Sequence, residues 1–161
     1  MLELVTTEVS VVGAFASPPA LDALAPAGAY RCRVAPDEVM LVREPGVGAA
    51  LVRDAIAVTA GDPDAVVLET SDGWAVWTLE GDARRAAFAR LSDIPLGEQG
   101  YVQGDVVHVP VRVIVDSSSL HLFVPAMWRG YLRRRIFERC SSLDVRARAS
   151  SAAWGSIGGP A

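Results

Sequence analysis

Apolar residues in this chain recur with two periods, and the switches between them predict its elements. The opening LELVTTEVSVVG is rich in β-branched residues and predicts a strand. The small, Pro-rich AFASPPALDALAPAGA that follows predicts a connection with one short helical turn. YRCRVAPDEVMLVRE predicts a hairpin with arms Tyr30 to Val34 and Glu38 to Arg43. They join at Ala35-Pro36-Asp37, where proline presets φ and aspartate bonds its own backbone. Leu51, Ala55 and Val58 return at helical spacing between Pro45 and the breaker Gly61-Asp62-Pro63, which predicts a helix over Gly48 to Val58.

Ala65 to Thr70 and Trp74 to Leu79 read as two strands joined in a tight hairpin by Ser71-Asp72-Gly73, whose Asp-Gly pair suits positive φ. On that reading Asp72 is a turn residue, not a catalytic acid. The second arm is apolar on both faces, with Trp74 and Val76 on one and Ala75, Trp77 and Leu79 on the other. That pattern predicts a central strand. A helix then follows Gly81-Asp82, with Asp82 as its N-cap and Ala83, Ala87, Phe88 and Leu91 facing inward.

Tyr101 to Val107, Val111 to Val115 and Leu120 to Val124 predict three more strands, the last two joined by Asp116-Ser117-Ser118-Ser119. A closing helix over Ala126 to Arg139 carries Trp128, Leu132 and Ile136 as its core-facing stripe. Together these predict one α+β domain over residues 1–140, with an antiparallel sheet, packing helices and two similar halves, about 30–80 and 81–140. Residues 141–161, small, polar and Gly-rich, predict a flexible C-terminal tail.

Composition narrows the function classes. The net charge of -4 argues against nucleic-acid binding through phosphate neutralisation. No apolar run approaches the roughly 20 residues of a membrane helix, and MLELVTTEV lacks a signal-peptide pattern. A cytoplasmic protein is the expectation. Cys32 and Cys140 lie far apart without CxxC spacing and predict two reduced thiols, neither bridged nor on zinc. The chain holds arginine but neither lysine nor asparagine, a bias that reads as codon preference and weakens each arginine as a sign of anion recognition.

Candidate chemistry is sparse. His108 and His121 sit in strand runs without a metal-spaced cluster around them. Ser117 to Ser119 form a turn with no nucleophile-elbow pattern. Gly46-Val47-Gly48 lacks the later glycine and the lysine of a phosphate loop. The strongest single-sign feature is Arg133-Arg134-Arg135, with Arg129 and Arg139, which suits a solvated face as well as a docking patch. Phe137, opposite Leu132 and near Gly130, gives the helix a second apolar edge. Gly130, Arg134 and Phe137 are therefore the candidate partner interface, with no catalytic and no metal residue assigned.

Three stretches, RCRVAPDEVMLV (31–42), VLETSDGWAVWTLEGDARRAAFARLSDIPL (67–96) and VQGDVVHVPVRVIVDSSSLHLFVPAMWRGYLRRRI (102–136), resemble in order the gamma subunit of heterotetrameric sarcosine oxidase, a relative of the folate-binding aminomethyltransferase domains. The resemblance implies a small non-catalytic accessory subunit of a flavoenzyme complex that oxidises a secondary amine. FAD, FMN, NAD and tetrahydrofolate would belong to larger flavin- and folate-binding subunits, and none to this chain. Two departures from the aminomethyltransferase pattern put a direct catalytic role in doubt. Val111-Arg112-Val113 stands where those relatives have an acidic pair, and Pro95, two residues after Asp93, stands where they have an aspartate. Two other readings remain: a stand-alone folate-binding or one-carbon-transfer module acting as a homodimer, and an α+β interaction domain unconnected with amine oxidation.

Overall fold

A computed structural model describes residues 1–149 and Trp154. They group into two compact units, one of Met1–Thr7 with the chain from Asp72 through residue 149, the other of Glu8–Ser71 with Trp154. The division therefore falls at residues 71 and 72, not near 80, and it splits the first predicted strand. That stretch forms β1 (Leu2–Thr7) and β2 (Ser10–Phe15), which enter different sheets.

The unit containing β2 is a four-stranded antiparallel sheet. Its remaining strands are β3 (Tyr30–Ala35), β4 (Glu38–Arg43) and β5 (Val66–Glu69), in the order β3-β4-β2-β5. The β3–β4 hairpin lies where the Pro-Asp turn predicted it. One face of the sheet sends Val12, Ala14, Val39 and Leu41 against two helices, α1 (Pro18–Asp22) and α2 (Gly48–Thr59). The inward residues of α2 are Leu51, Ala55 and Thr59, four apart, so Val58 faces solvent instead of closing the predicted stripe.

The unit containing β1 is a six-stranded sheet of order β10-β1-β6-β9-β8-β7. Its other strands are β6 (Trp74–Glu80), β7 (Gly100–Val106), β8 (Val109–Val115), β9 (Ser119–Pro125) and β10 (Val145–Ala149). β6 is central, between β1 and β9, as its two apolar faces predicted. Two helices, α3 (Arg84–Ala89) and α4 (Arg129–Arg139), cover one face, where Leu4, Leu79, Phe88, Leu122, Leu132 and Ile136 form the core. The short α3 starts after Ala83 without a side-chain cap, so Asp82 does not cap it.

Two further expectations change. β5 pairs with β2, and β6 pairs with β1, so Ser71-Asp72-Gly73 is a 3-10 turn between sheets and not a hairpin. Gly73 accordingly has no positive φ, whereas Gly81 does, at +95°, with the Met1 carbonyl where a Cβ would go. Beyond Cys140, residues 141–149 are ordered: a 3-10 turn at Ser141–Leu143 leads into β10, which runs parallel to β1. Arg148 holds that edge by donating to Glu3 and Glu80, each at 2.6 Å. Trp154 is buried and meets Tyr30 edge-on at 6.4 Å. The rest of the predicted tail, 150–153 and 155–161, lies outside the described residues.

Candidate functional site

The surface assigned to a partner is built around α4. Pro125 ends β9, a 3-10 turn at Ala126–Trp128 reverses the chain, and α4 begins at Arg129. The Trp77 indole N–H of β6 donates to the Arg129 carbonyl at 3.1 Å, and the Arg129 guanidinium lies over the same ring. Leu132 and Ile136 are fully buried, as predicted, and Cys140 completes their row. Trp128 does not join it. Because the 3-10 turn breaks the α-helical spacing, Trp128 is 39% exposed and rests edge-on against Tyr131 at 5.7 Å.

The three candidate interface residues separate. Arg134 is 66% exposed, with Glu138 at 3.9 Å and the Tyr131 ring at 5.9 Å. Gly130 is exposed, and no atom lies within 4 Å of where a Cβ would stand, so its small size is not required by this chain's own packing. Phe137 is half-buried against the core of its own unit, with Arg133 over its ring at 4.9 Å. The second apolar edge read at Phe137 is thus partly internal packing. The exposed large apolar side chains at the start of α4 are Met127, at 83%, and Trp128. Sequence reasoning missed both, and the signal available was the Pro125 that shortens the helix.

Tyr131 ties α4 to the β7–β8 hairpin by donating to the Val107 carbonyl at 3.0 Å. Val107 and His108 form that hairpin's tip with φ of 44° and 69°, so His108 occupies a turn and not a strand. The Val107 amide donates to the Leu91 carbonyl at 2.9 Å and its side chain is buried, so three contacts hold a conformation that a β-branched residue resists.

The remaining candidates are structural. His121 is buried on β9, its Nδ1 2.9 Å from the Thr78 hydroxyl, which in turn meets the Thr7 hydroxyl at 2.7 Å. Burial brings its imidazole down to about 4, against a smaller opposing effect of Asp116. Its Nδ1 therefore meets threonine, and His108 lies at the far end of β8 from Ser117 to Ser119. The Gly46-Val47-Gly48 loop does lead into α2, but the Glu69 carboxylate already faces Gly48 there, which opposes a phosphate at that helix end. Cys32 and Cys140 are buried and stand outside any disulfide, and burial pushes the Cys140 thiol up. Among the described residues, no three His, Cys, Asp or Glu side chains gather in a metal-holding set. No helix among them is long and apolar enough to cross a membrane.

A shallow groove of about 350 Å³ runs beside α3, lined by Arg85, Phe88, Ser92, Asp93 and Ile94 among others. Arg85 spends its donors on the Leu96, Gly97 and Glu98 carbonyls, and the Ser92 hydroxyl donates to the Asp105 carbonyl at 2.7 Å. These polar groups fasten the 92–98 segment, so the groove offers little beyond Asp93 for orienting a ligand.

No protein-family profile and no curated protein sequence matches the chain. Solved structures do. A chain of the heterotetrameric sarcosine oxidase from Corynebacterium sp. U-96, in complex with pyrrole 2-carboxylate, is similar at 18% identity over 94% of this chain and 88% of that one, with a TM-score of 0.75. The glycine cleavage system aminomethyltransferase T from Bartonella henselae is similar at 14% identity over 91% of this chain, with a TM-score of 0.65, but this chain spans only 47% of it. Aspartate kinase from Synechocystis is similar at 12% identity over 94% of this chain and 28% of that one, with a TM-score of 0.53. Identities this low establish the fold, which is an α+β arrangement of two mostly antiparallel sheets with few helices, shared with a sarcosine oxidase chain and with part of an aminomethyltransferase.

Proposed function

We propose that this protein is a non-catalytic accessory subunit of a cytoplasmic, sarcosine-oxidase-like complex that oxidises a secondary amine. The observation that carries the reading is the end-to-end match with a chain of a heterotetrameric sarcosine oxidase, 94% of one chain on 88% of the other. A match over most of both chains favours the role of a subunit. The aminomethyltransferase likeness covers about half of that enzyme, which favours the stand-alone folate module less. On this proposal the flavins, NAD and tetrahydrofolate are held by larger partner subunits. Arg134 and Gly130 lie on the surface that meets them, with Phe137 bracing it from within.

Purification of the tagged chain from its native host tests the proposal. The expected result is a yellow complex of fixed stoichiometry that oxidises a secondary amine, with the flavin remaining on the larger chains when this one is stripped off. A chain that purifies alone, or a complex without flavin, overturns it.

A further inference from the structure

We propose that the outer side of α4 and its entry turn, from Met127 to Arg134, docks against an acidic surface of a different protein. The inference rests on the accessory-subunit reading for the partner's identity, and on the charge distribution of this chain for the partner's chemistry.

Charge is segregated in the molecule. Residues 129–139 hold five arginines and one glutamate, while the whole chain has a net charge of -4, so the helix is a cationic patch on an otherwise acidic protein. Internal contacts take up part of that charge. Arg129 lies over Trp77 and Arg133 over Phe137, while Glu138 accepts from Arg135 at 2.9 Å and stands 3.9 Å from Arg134. Arg133, Arg134 and Arg139 are exposed. Beside them stand the 83% exposed Met127 and the half-exposed Trp128, with open space where a side chain of Gly130 would be. Exposed apolar side chains on the same element as exposed arginines are the composition of an interface anchor, and their complement is an apolar surface bordered by acidic residues.

A second copy of this chain fits poorly. A two-fold dimer through this surface would set one α4 against the other, with like charges opposed, and a head-to-tail contact with an acidic face would build a ring or a filament of this chain. A nucleic acid would meet the arginines but would leave Met127 and Trp128 against the phosphate backbone.

The absence of lysine supplies the test. Arg134→Lys places the sole lysine ε-amine of the chain in the centre of the surface, and Arg53→Lys, on an exposed position of α2, serves as the control. Each variant is purified from the native host and treated with a carbodiimide, which joins an amine to a carboxylate in direct contact. The expected product is an amide between the ε-amine introduced by Arg134→Lys and an Asp or Glu of another protein, formed at least about tenfold more than from the Arg53→Lys control. Arg134→Glu with Trp128→Ala should lower recovery of that protein by about tenfold at low salt. Absence of the adduct in the Arg134→Lys variant, equal adducts in both variants, an adduct joining two copies of this chain, or co-purifying nucleic acid overturns the proposal. The two readings fail separately. A flavoprotein complex in which Arg134→Lys forms no adduct removes the docking surface alone, and an adduct with a protein outside any flavoenzyme removes the accessory-subunit reading alone.

Discussion

The carboxylate of Glu69, at the end of β5, occupies the space where a side chain of Gly48, the first residue of α2, would begin. Val47 supplies no side-chain cap to that helix, and a carboxylate facing its first turn is a favourable charge there. Gly48 is there because the acid needs the room.

Gly48→Ala should therefore destabilise the protein by displacing the carboxylate, by about 1 kcal/mol. In a Glu69→Ala background the same change should stabilise by about 0.5 to 1 kcal/mol, the ordinary preference of a helix for alanine. Urea unfolding of the four proteins of this cycle measures the coupling. Equal effects in both backgrounds would show that the acid and the glycine are independent.

His121 makes stability depend on pH. Its folded value of about 4 lies below the ordinary 6.5, so as pH falls through 6.5 the unfolded chain takes up a proton that the folded chain refuses until about 4. Stability from this group is complete above 6.5 and declines below it, by about 2 kcal/mol between pH 7 and 5. Denaturant titrations at those two pH values should show this slope in the natural protein and lose it in His121→Leu.

The hairpin tip holds His108 at a φ of 69°, a conformation that costs a non-glycine residue about 1 kcal/mol. His108→Gly should raise the melting temperature, because the side chain is exposed and the strain is relieved. His108→Val should lower it. A melting temperature that falls with glycine would mean that the imidazole itself holds the turn.

Leu132 and Trp128 should differ in what their loss costs the free protein. Leu132→Ala removes a fully buried side chain and should cost about 2 to 5 kcal/mol. Trp128→Ala trims a half-exposed ring beside Tyr131 and should cost about 1 kcal/mol or less. Thermal unfolding of both variants checks the ranking, and a larger loss at Trp128 would restore it to the core stripe.

Much of this protein was legible in local pattern. The β3–β4 turn, the extent of α2, the central position of β6 and the inward Leu132 and Ile136 all follow from spacing and turn chemistry over a few residues. Tertiary structure decided what spacing does not encode, namely which strand takes which neighbour. LELVTTEVSVVG reads as one β-branched strand, yet β1 joins β6 while β2 joins β4 and β5, and that exchange turns the apparent Asp72-Gly73 hairpin into a crossing between sheets. Hydrogen bonds along a strand edge are as available to a distant segment as to an adjacent one, so burial of both faces selects the pairing. β10 shows the same from the other side. Its polar, small sequence reads as tail, and it is a strand because β1 offers a free edge and Arg148 finds Glu3 and Glu80 across it. Trp128 reads as core by its interval from Leu132, and it lies outside because Pro125 starts a 3-10 turn whose geometry that interval does not describe.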